Sequence, residues 1–358
     1  MSKKIGILTS GGDCPGLNAT IRGVAKAAYE RMEDIEIIGI VDGYLGLITG
    51  ESHRMAADDF SGILTTGGTI LGTSRQPYKT IQVIGEDNVD KVGAMKQNYE
   101  KMGLDCLLIL GGNGTHKTAN LLREQGLNVI GLPKTIDNDI YGTDVTFGFH
   151  TAVDIGTDVI DRLHSTAASH SRAMVVEIMG NKAGWLTLYA AVAGGADIII
   201  LPEIPFDLDK IAQSVKKRAG KKRPFSIIAV AEGALSVEES FMKKKERTQK
   251  RKTAGETTAT ARIAKHIEAS TGIETRIMVP GHYLRGGTPS AYDRVLATQF
   301  GVYAAGLIAE GIFGVTVANK NGITTHNQLA DIAGKTKPVP PDHQLILSAK
   351  NMDISFGE

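Results

Sequence analysis

Three short segments of this chain gather the residue types that handle phosphate. Residues 9–18 read Thr-Ser-Gly-Gly-Asp-Cys-Pro-Gly-Leu-Asn and residues 111–116 read Gly-Gly-Asn-Gly-Thr-His, each lying between an apolar run and a segment of helical period. Adjacent glycines let backbone N–H groups approach a phosphate closely, and a helix N-terminus adds partial positive charge. One such turn is equally well explained as a tight-packing device, whereas two of them point to a nucleotide or polyphosphate donor. Neither turn reads GxxxxGK[ST] or GxGxxG, which excludes the P-loop and the dinucleotide fingerprint. The third segment, Pro133-Lys134-Thr135-Ile136-Asp137-Asn138-Asp139, places two carboxylates, a hydroxyl and a lysine together after another apolar run. A general base beside a cation site needs these groups. The same residues also make an Asx-turn with a solvated lysine.

The elements that must position these turns are visible as unalternated runs of Ile, Val and Leu. They are Ile5–Thr9, Ile35–Val41, Cys106–Leu110, Val129–Leu132, Ala173–Ile178, Ile198–Leu201, Ser226–Ala231 and Arg276–Val279. Strands of this composition are buried on both faces, as in a parallel sheet covered by helices. Helices are expected between them at Ala19–Arg31, Val92–Lys101, His116–Gln125, Ala152–Ala168, Gly184–Ala193, Asp209–Arg218, Thr258–Ser270 and Ala291–Glu310. The fold class is α/β, with doubly wound, mostly parallel sheets. Ligands of such sheets bind outside the carboxyl ends of the strands, where the glycine-rich turns fall.

Composition narrows the function further. With 358 residues there is room for about two domains. Forty basic against thirty-nine acidic residues leave a formal charge of +1, so no global field draws the chain to nucleic acid or to an anionic membrane. Only Cys14 and Cys106 are present, in neither a CxxC nor a Cys/His cluster, which argues against disulfides and structural zinc and for a reducing compartment. The chain enters a strand-like run at once, and its most apolar stretch, Leu186 to Leu201, is too short and polar to span a bilayer. A cytoplasmic location is expected. Phe241 to Lys252 reads FMKKKERTQKRK. It is either a solvated insertion loop or a patch for nucleic acid or an acidic partner, and it lacks the aromatic interleaving that nucleic acid favours.

Taken together, the motifs resemble the phosphofructokinases, which phosphorylate the 1-hydroxyl of fructose 6-phosphate. The matching segments are Gly11–Asn18 (GGDCPGLN), Leu71–Arg75 (LGTSR), Gly111–Thr115 (GGNGT), Pro133–Asp139 (PKTIDND), Val176–Gly180 (VEIMG), Ala231–Gly233 (AEG) and Gly281–Arg294 (GHYLRGGTPSAYDR). The resemblance implies a glycolytic, Mg²⁺-dependent kinase made of two Rossmann-like domains with the active site between them. It places the donor's phosphates on Gly12, Arg75, Gln76, Gly112, Asn113, Gly114 and Thr115, and gives Arg75 the charge on the transferred group. Asp137 is then the general base, with Thr135 and Ile136 orienting the acceptor and Asp139 assisting through a cation-bound water. Met179, Gly180 and Glu232 hold the sugar ring, while His282 and Arg285 hold the 6-phosphate. Arg172 and Arg276 reach it from a neighbouring subunit, so the resemblance implies a homodimer or homotetramer. The phosphoryl-donor domain comprises residues 1–148 and about 286–335. The fructose 6-phosphate domain comprises 149–285 and about 336–358, with a basic surface insertion at 235–257.

Four positions depart from the family pattern or divide within it. Asn113 replaces the aspartate that helps hold Mg²⁺, and Asn181 replaces an arginine near the substrate, with Lys182 beside it. Gly114 matches members that use ATP, because an acidic side chain there crowds the α-phosphate. Lys134 matches members that use pyrophosphate. ATP is the expected donor. The alternatives are a pyrophosphate-dependent phosphofructokinase and a degenerate, non-catalytic paralogue that binds nucleotide or sugar phosphate. Arg22, Lys26, Arg54 and Lys221-Lys222-Arg223 lie at or near positions where allosteric members hold an effector, whereas His164 and Asp197 break that pattern.

Overall fold

The structure is a computed structural model that describes residues 3–83, 90–220, 224–256 and 258–358. Its strands are β1 (Lys3–Ser10), β2 (Ile35–Ile40), β3 (Ser52–Met55), β4 (Cys106–Gly111), β5 (Val129–Pro133), β6 (Ala173–Ile178), β7 (Ile198–Ile200), β8 (Ser226–Ala231), β9 (Thr275–Met278), β10 (Val315–Lys320) and β11 (Ile323–Gln328). The chain divides into two compact units, Met1–Thr151 with Arg285–Lys337, and Ala152–Leu284 with Pro338–Glu358.

The first unit carries the sheet β11-β10-β5-β4-β1-β2-β3, parallel except for the antiparallel edge strands β3 and β11. Residues 5–10 of β1 and all of β4 are buried, as their apolar runs require. On one face, Leu8, Leu107, Ile109, Ala119, Leu122 and Met95 pack helices Lys91–Lys101 and Asn113–Glu124 against the sheet. Helices Leu17–Arg31 and Ala291–Ala309 pack closely on each other, and two glycines permit the contact. A Cβ on Gly23 would fall 2.9 Å from the Thr298 carbonyl, and one on Gly301 would fall 2.4 Å from that of Thr20. The chain runs from β1 to β2 in one direction and from β4 to β5 in the other, so β1 and β4 flank the topological switch. Their register pairs Thr9 with Leu110 and Ser10 with Gly111, which sets the two Gly-Gly turns side by side.

The second unit carries the parallel sheet β7-β8-β6-β9. Val175, Ile198, Ile200, Ile228 and Val230 face helices Leu208–Ala219 and Ala259–Thr271 across a shared core. The pairing of Ile178 with Ala231 aligns the carboxyl ends of β6 and β8.

Two expectations are corrected. Helix Asn113–Glu124 begins three residues before the anticipated His116, so the second Gly-Gly turn enters the helix directly. The basic segment is not a loop, since it forms helices Val237–Ser240 and Lys244–Thr253. The reason is a buried ion cluster. Glu239 is fully buried and takes Arg251 Nε at 2.7 Å and Arg262 Nη2 at 2.7 Å. Ser236 and Glu239 also form a capping box at the start of the short helix. Burial alone pushes the Glu239 carboxyl up, but the two arginines outweigh it and hold it at about 2.

Because that value lies below the unfolded one, the cluster's contribution is present above the ordinary glutamate range and is lost as pH falls toward about 2. Glu239→Gln leaves two buried guanidinium groups poorly compensated, and should cost about 3–5 kcal/mol at pH 7. Urea unfolding at pH 7 and pH 3 checks both the size and the sign. A loss no smaller at pH 3 than at pH 7 would contradict this account.

Candidate active site

In the first unit, β1 is followed by Gly11, whose φ of 88° lies in the left-handed region. The backbone N–H of Gly11 donates to Ser74 O at 3.2 Å, and Thr73 Oγ1 donates to Gly11 O at 2.8 Å. The loop 71–76 is thereby tied to this turn through Thr73 and Ser74, the residues just before the exposed Arg75 and the half-buried Gln76. The Arg285 guanidinium lies against the same turn, because a Cβ on Gly12 would meet its Nη1 at 2.9 Å.

Helices Leu17–Arg31 and Asn113–Glu124 have glycine at the N-cap, Gly16 and Gly112, and neither receives a side-chain cap. Their first N–H groups are thus left to an outside acceptor, and the helix ends favour an anionic one. A Cβ on Gly114 meets nothing within 4 Å, and its φ is not left-handed. Neither packing nor backbone conformation requires glycine at 114, and open space adjoins it.

The third turn is fastened to the other two by Lys134. This residue is buried, in contrast to the solvated lysine of the Asx-turn alternative. Its backbone N–H donates to Gly111 O at 3.0 Å and its Nζ donates to Gly12 O. Burial lowers its pKa, against raising contributions that include Asp137 and Asp13. Asp137 is half-buried, and its N–H donates to Thr135 Oγ1 at 3.1 Å. The following Asn138 adopts a left-handed φ of 50°, and its Oδ1 accepts from Thr146 N at 3.1 Å. Asn113 Nδ2 donates to Asp139 O at 3.1 Å and to Asp139 Oδ2 at 2.8 Å. Burial pushes the Asp139 carboxyl up, and the Asn113 amide opposes this.

Several positioning residues escape a reading of the sequence. Lys337 Nζ donates to Asn138 Oδ1 at 3.2 Å and to the carbonyls of Thr143 and Asp144 at 2.8 Å, bracing the loop that carries Asp137. His116 donates from Nδ1 to Gly112 O at 3.0 Å, while its Nε2 accepts from Thr316 Oγ1 at 2.9 Å. Burial holds this imidazole down at about 4, so it is neutral at pH 7 and fixes the Gly112 carbonyl. Tyr44 OH donates to Thr115 O at 2.9 Å. Apart from His116 and Gly112, which are four residues apart, these partners lie far apart in sequence, and only the fold brings them together.

In the second unit, Glu232 Oε1 accepts from the N–H groups of Gly180 at 3.2 Å and Asn181 at 2.6 Å. The turn after Met179 is therefore locked onto Glu232. Arg172 and Arg276 converge on one carboxylate, Glu274, through Arg172 Nε at 2.6 Å and Arg276 Nη2. Arg172 is the main group holding the Glu274 carboxyl below its ordinary range. His282 is exposed on the 3₁₀ turn Gly281–Arg285. His164 bonds Gly194 O at 2.7 Å, and Asp197 pairs with Arg218 at 2.8 Å, so both have structural work. Lys221, Lys222 and Arg223 of the expected effector cluster lie outside the described residues.

Comparison with known proteins accords with this arrangement. The phosphofructokinase family model matches residues 4–308, and the chain belongs to the phosphofructokinase family. It is 57% identical to an ATP-dependent 6-phosphofructokinase of Spirochaeta thermophila, over 100% of this chain and 98% of the relative. It is 45% identical to a pyrophosphate–fructose 6-phosphate 1-phosphotransferase of Amycolatopsis methanolica, over 99% of this chain and 100% of the relative. Among solved structures, phosphofructokinase of Pichia pastoris in the T-state superposes with a TM-score of 0.81 at 31% identity, covering 93% of this chain and 35% of that one. The expected α/β class with mostly parallel sheets is borne out. No helix among the described residues is long and apolar enough to cross a membrane.

The Asn113–Asp139 pair gives a direct prediction. Asn113→Asp replaces an amide donor by a second carboxylate against Asp139, and should cost about 1–3 kcal/mol in chelator at pH 7. Added Mg²⁺ should restore part of that loss. Thermal unfolding with and without Mg²⁺ reads both effects, and an unchanged melting temperature in chelator would show that the amide contributes nothing.

Proposed function

We propose that this phosphofructokinase transfers the γ-phosphoryl group of ATP to the 1-hydroxyl of fructose 6-phosphate, giving fructose 1,6-bisphosphate and ADP. The observation that carries this reading is the joining, within one unit, of two uncapped glycine turns to the loop that bears Asp137. The open space beside Gly114 favours ATP as donor. Lys134 does not oppose that choice, because its ammonium group is spent on the Gly12 carbonyl.

In this mechanism Gly12, Gln76 and the turn Gly112–Thr115 hold the donor's phosphates through backbone N–H groups and helix ends, and Arg75 neutralises charge on the transferred group. Asp137 accepts the proton as the 1-oxygen forms its bond to the γ-phosphorus and the bridging oxygen leaves with ADP. Thr135 and Ile136 orient the acceptor. Among the described residues, no group of three His, Cys, Asp or Glu could hold a metal ion. This suits Mg²⁺ that arrives on the donor phosphates and needs one or two protein groups. Asn113 Oδ1 would be the neutral acceptor for it or its waters, since Nδ2 is engaged by Asp139. The ion supplies neutralisation of phosphate charge. Unit one is the donor domain and unit two the acceptor domain. Met179, Gly180 and Glu232 hold the sugar ring, and His282 and Arg285 bind the 6-phosphate. Arg172 and Arg276 serve the site of a neighbouring copy in a homodimer or homotetramer, exchanging Glu274 for the phosphate dianion. The protein works in the cytoplasm.

Asp137→Ser should lower turnover about 10²–10⁴-fold with little change in fructose 6-phosphate affinity, because it removes only the base. Near-native turnover would overturn that role. Lys337→Met should lower kcat about tenfold and leave both KM values near native, with Lys337→Arg partly restoring it. A change confined to stability would reduce Lys337 to a structural brace. The donor is settled by assaying ATP and pyrophosphate in parallel, and Gly114→Asp should abolish ATP use first. The pyrophosphate reading has its own support in the Amycolatopsis relative, so turnover with pyrophosphate and none with ATP would establish it.

A further inference from the structure

The basic helix Lys244–Thr253 takes no part in the reaction described above, yet it roofs a cavity of about 360 Å³ in the second unit. Asn181 and Lys182 after β6, Glu232 after β8, and Lys244, Arg247 and Thr248 on the helix face into it. The charges do not balance. Glu232 is already held by two backbone N–H groups. Arg251, also on the wall, is spent on Glu239. Lys182, Lys244 and Arg247 form no ion pair with a carboxylate among the described residues, and Arg247 gives only one long bond, 3.4 Å, to the Glu239 carbonyl. Three cations against one carboxylate leave an excess that a compact dianion would neutralise. The guanidinium of Arg247 offers the paired donors that suit phosphate oxygens, and Thr248 and Asn181 add neutral hydrogen-bonding groups. The volume lies at the lower end of small-molecule pockets, enough for a phosphate ester with a short polyol body.

We propose that this cavity is a binding site for a phosphorylated small molecule, built by the basic helix and distinct in its residues from both the donor turns and the Arg172–Arg276 pair. It also explains why so dense a basic run is folded down by the buried Glu239 cluster instead of trailing in solvent. Its occupant touches Asn181, whose N–H is on Glu232, so occupation alters the grip of Glu232 on the Gly180 turn and with it the affinity for the sugar. The binding stands on the cavity alone. The coupling rests on the acceptor role given to Glu232 above.

The test is calorimetric titration of the full chain with inorganic phosphate and, separately, with glycerol 3-phosphate. Arg276→Ala should retain the site, whereas Lys244→Gln with Arg247→Gln should weaken it at least tenfold. Both helix substitutions lie on the half-exposed or exposed surface, and Lys182→Gln on the opposite wall provides an independent variant should the double one misfold. Tighter binding of the ester than of phosphate identifies an organic phosphate as the occupant, and equal binding identifies the free anion. An isotherm unchanged in the double variant and in Lys182→Gln overturns the site. With the site confirmed, saturating phosphate should shift the KM for fructose 6-phosphate in the parent but less in the double variant. Equal shifts in both would keep the site and overturn the coupling through Glu232.

Discussion

A single buried ammonium group holds the candidate site together. Lys134 gives its backbone N–H to Gly111 and its side chain to Gly12, so one residue fastens the loop of Asp137 to both glycine turns. A cation out of water costs free energy unless it finds compensation. Here the compensation is a backbone carbonyl with Asp137 and Asp13 nearby, the same groups that would surround a bound polyphosphate. The arrangement therefore does two things at once. It aligns the three turns without a ligand, and it lends a diffuse positive potential to the place where the proposed mechanism puts the donor phosphates. The lysine spends its hydrogen bond inside the protein, which leaves the space beside Gly114 unobstructed.

The charge count around this centre explains why an asparagine is tolerable at 113. Asp139 is almost wholly buried, and a second carboxylate against it would demand a proton or a metal ion at all times. The Asn113 amide instead donates to Asp139 twice, so the pair is satisfied before any ion arrives. Under the proposed mechanism, what is lost is one negative charge toward the Mg²⁺ of the donor. What is gained is a loop whose geometry does not depend on the metal. Lys337 adds to that independence by bonding three acceptors between Asn138 and Asp144.

Much of this was legible in the sequence, and for a physical reason. Strands buried on both faces must be continuous apolar runs, and all eight such runs became strands within a residue or two of their expected ends, although β9, at the edge of its sheet, is exposed from Arg276 to Met278 instead of buried. The two edge strands of the first sheet were not legible, and neither was its buried inner strand β10, whose Val-Thr-Val-Ala-Asn-Lys is interrupted by polar residues. β11 is Ile-Thr-Thr-His-Asn-Gln, half-exposed between two exposed ends, and β3 is Ser-His-Arg-Met, where pairing on one side leaves little demand for apolar residues. The glycine turns and PKTIDND stood out because their residue types are needed where they stand. Lys337 and His116 did not, since each acts on a partner about 200 positions away and nothing local marks it. Glu239 misled in the opposite sense. A glutamate just before a basic run reads as surface, yet it is fully buried, because its two arginine partners come from separate helices.

Glu239 and Glu232 are seven residues apart in the chain and are put to opposite uses by the same logic. Each is a carboxylate whose charge is met before a ligand appears, one by guanidinium groups and the other by backbone N–H groups. Guanidinium partners make Glu239 a fixed post that pins the basic helix. The N–H partners of Glu232 belong to a turn in which Gly180 has a φ of 154° and Asn181 one of 53°, conformations that strain every residue but glycine and a few such as asparagine. Asparagine is among the side chains best suited to that left-handed position, which supplies a backbone reason for Asn181 where the family carries arginine. The positive charge that an arginine would have brought is present nearby on Lys182 and on the basic helix. The departure at 181 and the unusual helix are thus parts of one local solution: backbone conformation selects the asparagine, and the helix returns the charge to the same side of the sheet.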